Sequence, residues 1–283
     1  MKTKLKQIVI IGGAEGTTAV ARALKATGAY ISIIQTPADD GGSGGAMRAA
    51  FDMMAPGDTR RALIALSELK DKAFLHLFAY RYPTGPLKGE VVGNLILAGL
   101  TLQTNNFEKT IEVTKKILKV KGDVIPASLQ VPTLYAKLEN GKIIRGETNL
   151  YIPRYNPRLH IEQVWFLPSV PLNQKAKKTI LAADLIILGP GSLYSSIIPN
   201  LLVTGMPAAL KKTKATVIYI VNPINQPGQT MDFSAQDYVD IVTRYAGAGT
   251  IDIALTPTMI QPKNPKKLYT PENLRKALKQ FLG

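Results

Sequence analysis

The sequence predicts an α/β protein: a doubly wound, mostly parallel sheet with helices on both faces and an antiparallel β-hairpin insertion near residues 130–152, all in one domain over residues 1–283. Three observations lead there. Short continuous apolar runs, the pattern of strands buried on both faces, alternate with helix-length stretches. Four of these runs empty into polar, glycine-bearing loops, and in open α/β sheets such loops gather along the edge that holds ligands. One middle stretch breaks the alternation with Asn140-Gly141 between apolar segments, a strong hairpin signal.

Gln7 to Ile11 reads as the first buried strand. Gly12-Gly13-Ala14-Glu15-Gly16 then turns into a helix over Thr17 to Thr27, and Tyr30 to Gln35 is the second strand. After a loop from Thr36 to Gly45 come helical stretches at Ala46 to Met54, Thr59 to Lys70, Lys72 to Tyr80, Val92 to Leu102 and Asn106 to Leu118. The hairpin uses Val131 to Leu138 and the segment from Ile143, with a further strand at Ile161 to Phe166. Alternation resumes with a helix over Lys175 to Ala182 and a strand over Asp184 to Leu188. Leu193 to Lys211 holds two helices broken near Pro199 and Gly205. Strands at Thr216 to Val221 and Thr250 to Leu255 flank a helix over Ser234 to Tyr245, which Ser234 can cap. Thr270-Pro271-Glu272 opens the last helix with a cap and a first-turn proline.

The 283 residues are 46% hydrophobic and 19% charged, enough for a sizeable core and too weakly charged for disorder. With no cysteine, disulfides, thiolate metal sites and cysteine nucleophiles are excluded. The N-terminus runs into a strand without a secretory h-region, and no apolar stretch reaches membrane-spanning length, so we expect a cytoplasmic protein with no membrane insertion. The net charge of +15 favours an anionic partner. The lysines of 115–116, 175–178, 211–212 and 263–279 read as solvated helix faces, and aromatics do not interleave with them, so nucleic acid stays a minor alternative.

The densest chemistry lies in Ala38-Asp39-Asp40-Gly41-Gly42-Ser43-Gly44-Gly45, where paired carboxylates meet glycines that let a backbone approach a ligand. Gly12, Gly13 and Gly16 fit either a tight βα turn or an anion seat at a helix N-terminus. The second strand ends in Gln35-Thr36 rather than in an acid, which argues against ordinary NAD binding. Asp58 and Arg60 open one helix and Asn94 another, and Asp58 serves either as a cap or as a chemical group. Gly189, Gly191, Ser192, Tyr194 and Ser195 follow a strand in a loop able to cradle phosphate. Asn222 and Gln226 lie in another polar strand-end loop. His76 sits in an apolar helix and reads as packed, and His160 has no metal-ligand spacing, so zinc is not expected. No serine occupies a nucleophile elbow.

Taken in order, Ala38 to Gly45 with Arg48, Pro56-Gly57-Asp58-x-Arg60, Gly93-Asn94-Leu95, Gly189 to Tyr194 through Pro199-Asn200-Leu201, and Gln226 to Thr230 resemble the CofD-like superfamily, most closely its gluconeogenesis-factor (YvcK-like) branch. The resemblance implies a Rossmann-like fold that often dimerises. One branch, phospholactate transferase, moves a phospholactyl group from a guanosine diphosphate carrier to a deazaflavin alcohol with Mg²⁺. The other binds UDP-sugars, notably UDP-N-acetylglucosamine, and is linked to carbon metabolism and cell-wall morphogenesis. By matching position, Asp39, Asp40 and Asp58 are the acidic groups bearing on catalysis, with Asp40 and Asp58 toward a metal, for which Mg²⁺ is the candidate. Gly12, Gly13, Gly41, Gly42, Ser43, Arg48, Arg60, Asn94, Gly189, Gly191, Ser192, Tyr194, Ser195, Asn200, Asn222 and Gln226 are the expected ligand-binding set. The sequence departs from the pattern at Ala14-Glu15, at Gly44 in place of a second serine, and at Glu90 in place of a histidine. These departures fit a diverged binding protein better than a working transferase.

Overall fold

In a computed structural model of the chain, residues 5–260 and 269–282 are described. The lysines at 263, 266 and 267 and the segment before Leu5, both read above from sequence, lie outside the described residues. Six strands form one parallel sheet: β1 (Gln7–Gly12), β2 (Tyr30–Gln35), β3 (Asp123–Pro126), β7 (Leu185–Leu188), β8 (Thr216–Ile220) and β9 (Ile253–Leu255). Their spatial order is β3-β2-β1-β7-β8-β9. A separate antiparallel sheet, ordered β5-β4-β6, is built from β4 (Thr133–Leu138), β5 (Ile143–Arg145) and β6 (Ile161–Leu167).

The continuous apolar strands are explained by cover on both faces. Ile8, Ile10, Ile33, Ile187 and Ile218 point to one side, where the helices Ala14–Lys25, Gly57–Leu66 and Pro271–Leu278 bury Leu24, Leu63 and Leu274 against them. Val9, Ile11, Ile34, Ile186 and Val217 point to the other, toward Ile180, Leu210 and Val242. That second core runs on into Leu134, Ala136, Ile144, Val164 and Phe166, so the small sheet packs its inner face on the main one. Burial of such side chains supplies roughly 1.5–3 kcal/mol each before the entropy of ordering is counted.

Most expected elements form, and the differences have physical causes. The strand β3 is absent from the sequence reading because only two apolar residues, Val124 and Ile125, stand between Gly122 and Pro126; pairing with β2 makes it a strand. The proline is tolerated because β3 is an edge. The helix expected from Ala46 begins at Gly42 instead, inside the glycine-rich stretch, so tertiary contacts override a poor helix former there. Pro199 does not break its helix. It occupies the first turn of Ile198–Leu201, after a π-helical turn at Leu193–Ile197, and the break falls at Gly205 with φ +98°. His76, expected to be packed, is exposed. Ser234 forms the anticipated cap, as a full capping box with Asp237.

Gly16 shows how tightly the first helix meets the β7 loop, since a Cβ there would collide with the Pro190 carbonyl. Gly99 faces open space within the helix Val92–Thr104. Gly16→Ala is therefore expected to cost about 1–3 kcal/mol, whereas Gly99→Ala gains about 0.5–1 kcal/mol. Thermal unfolding of both variants beside the parent chain checks the pair.

Candidate functional site

Neighbouring strands β1 and β7 send their chains in opposite directions along the sheet, and a crevice opens at the strands' carboxyl ends where they part. It is a cavity of about 790 Å³. The loops after β1, β2, β7 and β8 all reach it, through Glu15, Asp39, Ser192 and Asn222 respectively. The last described segment adds Tyr269 and Pro271 at the rim.

The cavity is lined by Arg60, Arg61 and Arg81. Arg60, on the first turn of Gly57–Leu66, is buried, and its Nε donates to Asn94 Oδ1 at 3.0 Å. Asn94 Nδ2 donates to Ser43 Oγ at 3.0 Å, and Ser43 Oγ donates to Glu90 Oε2 at 2.7 Å. Glu90 thus anchors a polar chain ending on Arg60. Burial, followed by the like charges of Arg61 and Arg81, pulls the Arg60 guanidinium down to about 10. Among the described residues no acid stands within ion-pair distance of Arg60 or Arg81. A desolvated arginine without a counter-ion favours an anion.

The cavity also holds acids. Asp39, Asp58 and Glu147 all line the cavity. Asp58 does not cap its own helix. Its Oδ1 accepts the Ala14 N–H of the first helix at 3.1 Å and pairs with Arg61. Burial first, and then the Asp58 charge, push the Asp39 carboxyl up to about 7. Burial, with Asp39 and Asp40 next, pushes Glu147 up to about 8.

Of the residues expected at the site, Asp39, Asp58, Gly41, Gly42, Ser43, Arg60, Asn94, Gly191, Ser192, Ser195, Asn222 and Gln226 line the cavity. Seven others do not, and each has another task. Asp40, expected as a catalytic and metal-binding acid, turns both oxygens to the helix Glu147–Tyr151, accepting the Glu147 N–H at 3.0 Å and the Thr148 N–H and Oγ–H at 2.8 Å each. Arg48 holds backbone instead of ligand, donating to Asp39 O at 3.0 Å and to Pro132 O at 2.6 Å. Tyr194 is a core side chain, 1% exposed. Asn200 is fully buried and donates to Ser196 O at 2.8 Å. Gly12, Gly13 and Gly189 set the backbone course around the crevice. A Cβ on Gly13 would lie 2.6 Å from Asp58 Oδ2, and Gly189 has φ +78°.

Glu147, Arg61 and Arg81 line the cavity without having been picked out from the sequence. Arg61 had a signal beside Arg60; Glu147 had none, since it comes from the insertion. The exposed Glu15 pairs with Arg22 at 3.9 Å on the rim, which reduces its repulsion of a phosphate. Among the described residues no group of three or more His, Asp or Glu side chains is arranged to hold a metal ion. Asp39 and Asp58 are the pair chemically suited to a cation, because a positive charge between them would offset the Asp58 repulsion that adds to burial in raising the Asp39 carboxyl.

A doubly wound sheet with a ligand-sized polar cavity at its switch point defines a Rossmann-like α/β protein. The profile of the family described as 2-phospho-L-lactate transferase CofD matches residues 8–278, and the chain belongs to that family. A gluconeogenesis factor of Listeria monocytogenes is 38% identical over 277 residues, covering 97% of this chain and 84% of that protein. The gluconeogenesis factor of Bacillus subtilis is 39% identical over 272 residues, covering 95% and 84%. A crystal structure of a Bacillus halodurans protein of the UPF0052 family superposes with a TM-score of 0.87 at 36% identity, over 93% of this chain and 83% of that one.

Folded Asp39 and Glu147 keep protons that the unfolded chain releases near pH ~4. Native protein therefore binds more protons than unfolded protein as pH rises toward their folded values of about 7 and about 8, and these groups subtract stability over that window. Glu147→Gln cannot ionise. Its melting temperature is expected to match the parent's at pH ~4 and to exceed it by roughly 2–6 °C at pH ~8.5. Melting curves across the pH range check the sign.

Proposed function

We propose that this protein binds a nucleotide-sugar, UDP-N-acetylglucosamine or a close relative, and through it regulates the flow of carbon into cell-wall precursors. The observation that carries the reading is the pairing of Arg60, buried without a counter-ion, with strand-end loops converging on one cavity. Arg60 and Arg81 would take the diphosphate, and Ser192 would flank it. A volume of about 790 Å³ suits a ligand of nucleotide-sugar size. The relatives named gluconeogenesis factor support a role in carbon metabolism. Among the described residues no helix is long and apolar enough to cross a membrane. Our proposal places the protein in the cytoplasm as a homodimer.

A phospholactate-type transferase is the second reading, favoured by the facing carboxylates of Asp39 and Asp58. In it Mg²⁺, held by those two, would supply charge neutralisation for a diphosphate donor. Asp39 would then take the acceptor hydroxyl's proton, and Arg60 would orient the donor phosphates. Nucleic-acid binding through net charge is a minor alternative, marked by steep salt dependence for any DNA or RNA.

Calorimetric titration with UDP-N-acetylglucosamine, UDP, GDP and NAD, with and without Mg²⁺, tests the reading. We expect a Mg²⁺-independent preference for the UDP-sugar, weakened roughly 10–100-fold by Arg60→Ala. Tight GDP binding that needs Mg²⁺ and is lost in Asp58→Asn would establish the transferase instead. Absence of binding to all four would overturn the ligand assignment.

A further inference from the structure

The cavity carries arginines and acids, and its acids are assembled from two parts of the fold. Asp39 and Asp58 belong to the main sheet's loops and helices, whereas Glu147 arrives from the insertion, on the helix Glu147–Tyr151 between β5 and β6. Asp40 fixes that helix by accepting its first N–H groups. Because the backbone of Glu147 makes this contact, its side chain is left for another purpose. Glu147 Oε2 and Asp39 Oδ1 come within 3.9 and 3.6 Å of the place a Cβ on Gly41 would fill, so the two carboxyls gather over the Gly41 backbone. Ser195 stands beside Glu147 on the π-helical turn and is 3% exposed; the Glu147 carboxyl is its neighbour, yet its Oγ makes no hydrogen bond of good geometry within the protein. A buried hydroxyl so weakly satisfied costs free energy unless a ligand completes its bonding.

Among the described residues no cation lies within ion-pair distance of Glu147, and its charged neighbours are Asp39, Asp40 and Asp58. Phosphate is repelled from such a place. Groups that donate hydrogen bonds, such as sugar hydroxyls or an amide N–H, are not.

We propose that Glu147, with Asp39 and Ser195, forms the subsite that recognises the polyhydroxyl group carried on a nucleoside diphosphate, making Glu147 a specificity-determining residue of this cavity. The inference rests on the nucleotide-sugar reading above and assigns the sugar to these carboxyls and the phosphates to Arg60. A site built to hydrogen-bond hydroxyls discriminates strongly against ligands that lack them.

The test is the ratio of UDP-N-acetylglucosamine affinity to UDP affinity, by titration calorimetry on the full chain. Glu147→Ala is expected to lower the ratio at least roughly tenfold, since a site built to bond a ligand group penalises its loss. Glu147→Gln keeps the shape and guards against a folding defect; it is expected to lower the ratio less, and Ser195→Ala to lower it too. Arg60→Ala is expected to weaken both ligands and leave the ratio near its starting value. If wild-type protein binds both ligands and the Glu147 variants leave the ratio unchanged, this inference alone is overturned. If wild-type protein binds neither, the nucleotide-sugar reading falls, and the subsite with it.

Discussion

Side-by-side parallel pairing of β1 with β7 is the constraint on which the molecule depends. Ile8 to Ile11 pair with Leu185 to Leu188, yet the connection between the two strands, Gly13 to Asp184, is 172 residues long. The chain leaves β1 toward β2 on one side and leaves β7 toward β8 on the other. Two loops that diverge from adjacent strands cannot fill the space between them, so a crevice follows from the topology. Close packing then trims it: the first helix approaches the β7 loop so tightly that only glycine fits at position 16.

The loop after β2 is shaped from a distance. It is rich in glycine and would wander if free, because glycine gives up the most conformational freedom on folding. Arg48 draws together the carbonyls of Pro37, Ala38 and Asp39 with that of Pro132 at the edge of the insertion. Asp40 reaches the opposite way to the start of Glu147–Tyr151. Two charged residues are thus spent on joining the main sheet to the small one. Asp39, its own carbonyl held by Arg48 and its neighbour Asp40 anchored, lines the cavity.

Charge separation within the cavity follows from this arrangement. Arg60 is held by the Asn94, Ser43 and Glu90 chain, which engages its Nε without neutralising it. Three carboxyls converge elsewhere on the wall, with Arg61 pairing Asp58 alone. Low dielectric strengthens each unsatisfied preference, for an anion at Arg60 and for hydrogen-bond donors at Glu147.

Much of this was legible in the sequence. Apolar runs marked five of the six main strands, Asn140-Gly141 marked the hairpin, and the polar strand-end loops marked one ligand edge, since strand burial, turn geometry and glycine tolerance are local properties. Family membership was legible too, in the order of Asp39-Asp40, Asp58, Asn94 and the Gly189 loop. Tertiary structure alone decided which of two adjacent acids faces the cavity: Asp39 and Asp40 are indistinguishable in the sequence, and only the distant N–H groups of Glu147 and Thr148 claim Asp40. It likewise turned Arg48 into a backbone clamp, Tyr194 into core, and Val124-Ile125 into a strand. Glu147 entered the site for the same reason. Its role is set by what folding places against it from more than a hundred residues away, and no local pattern records that.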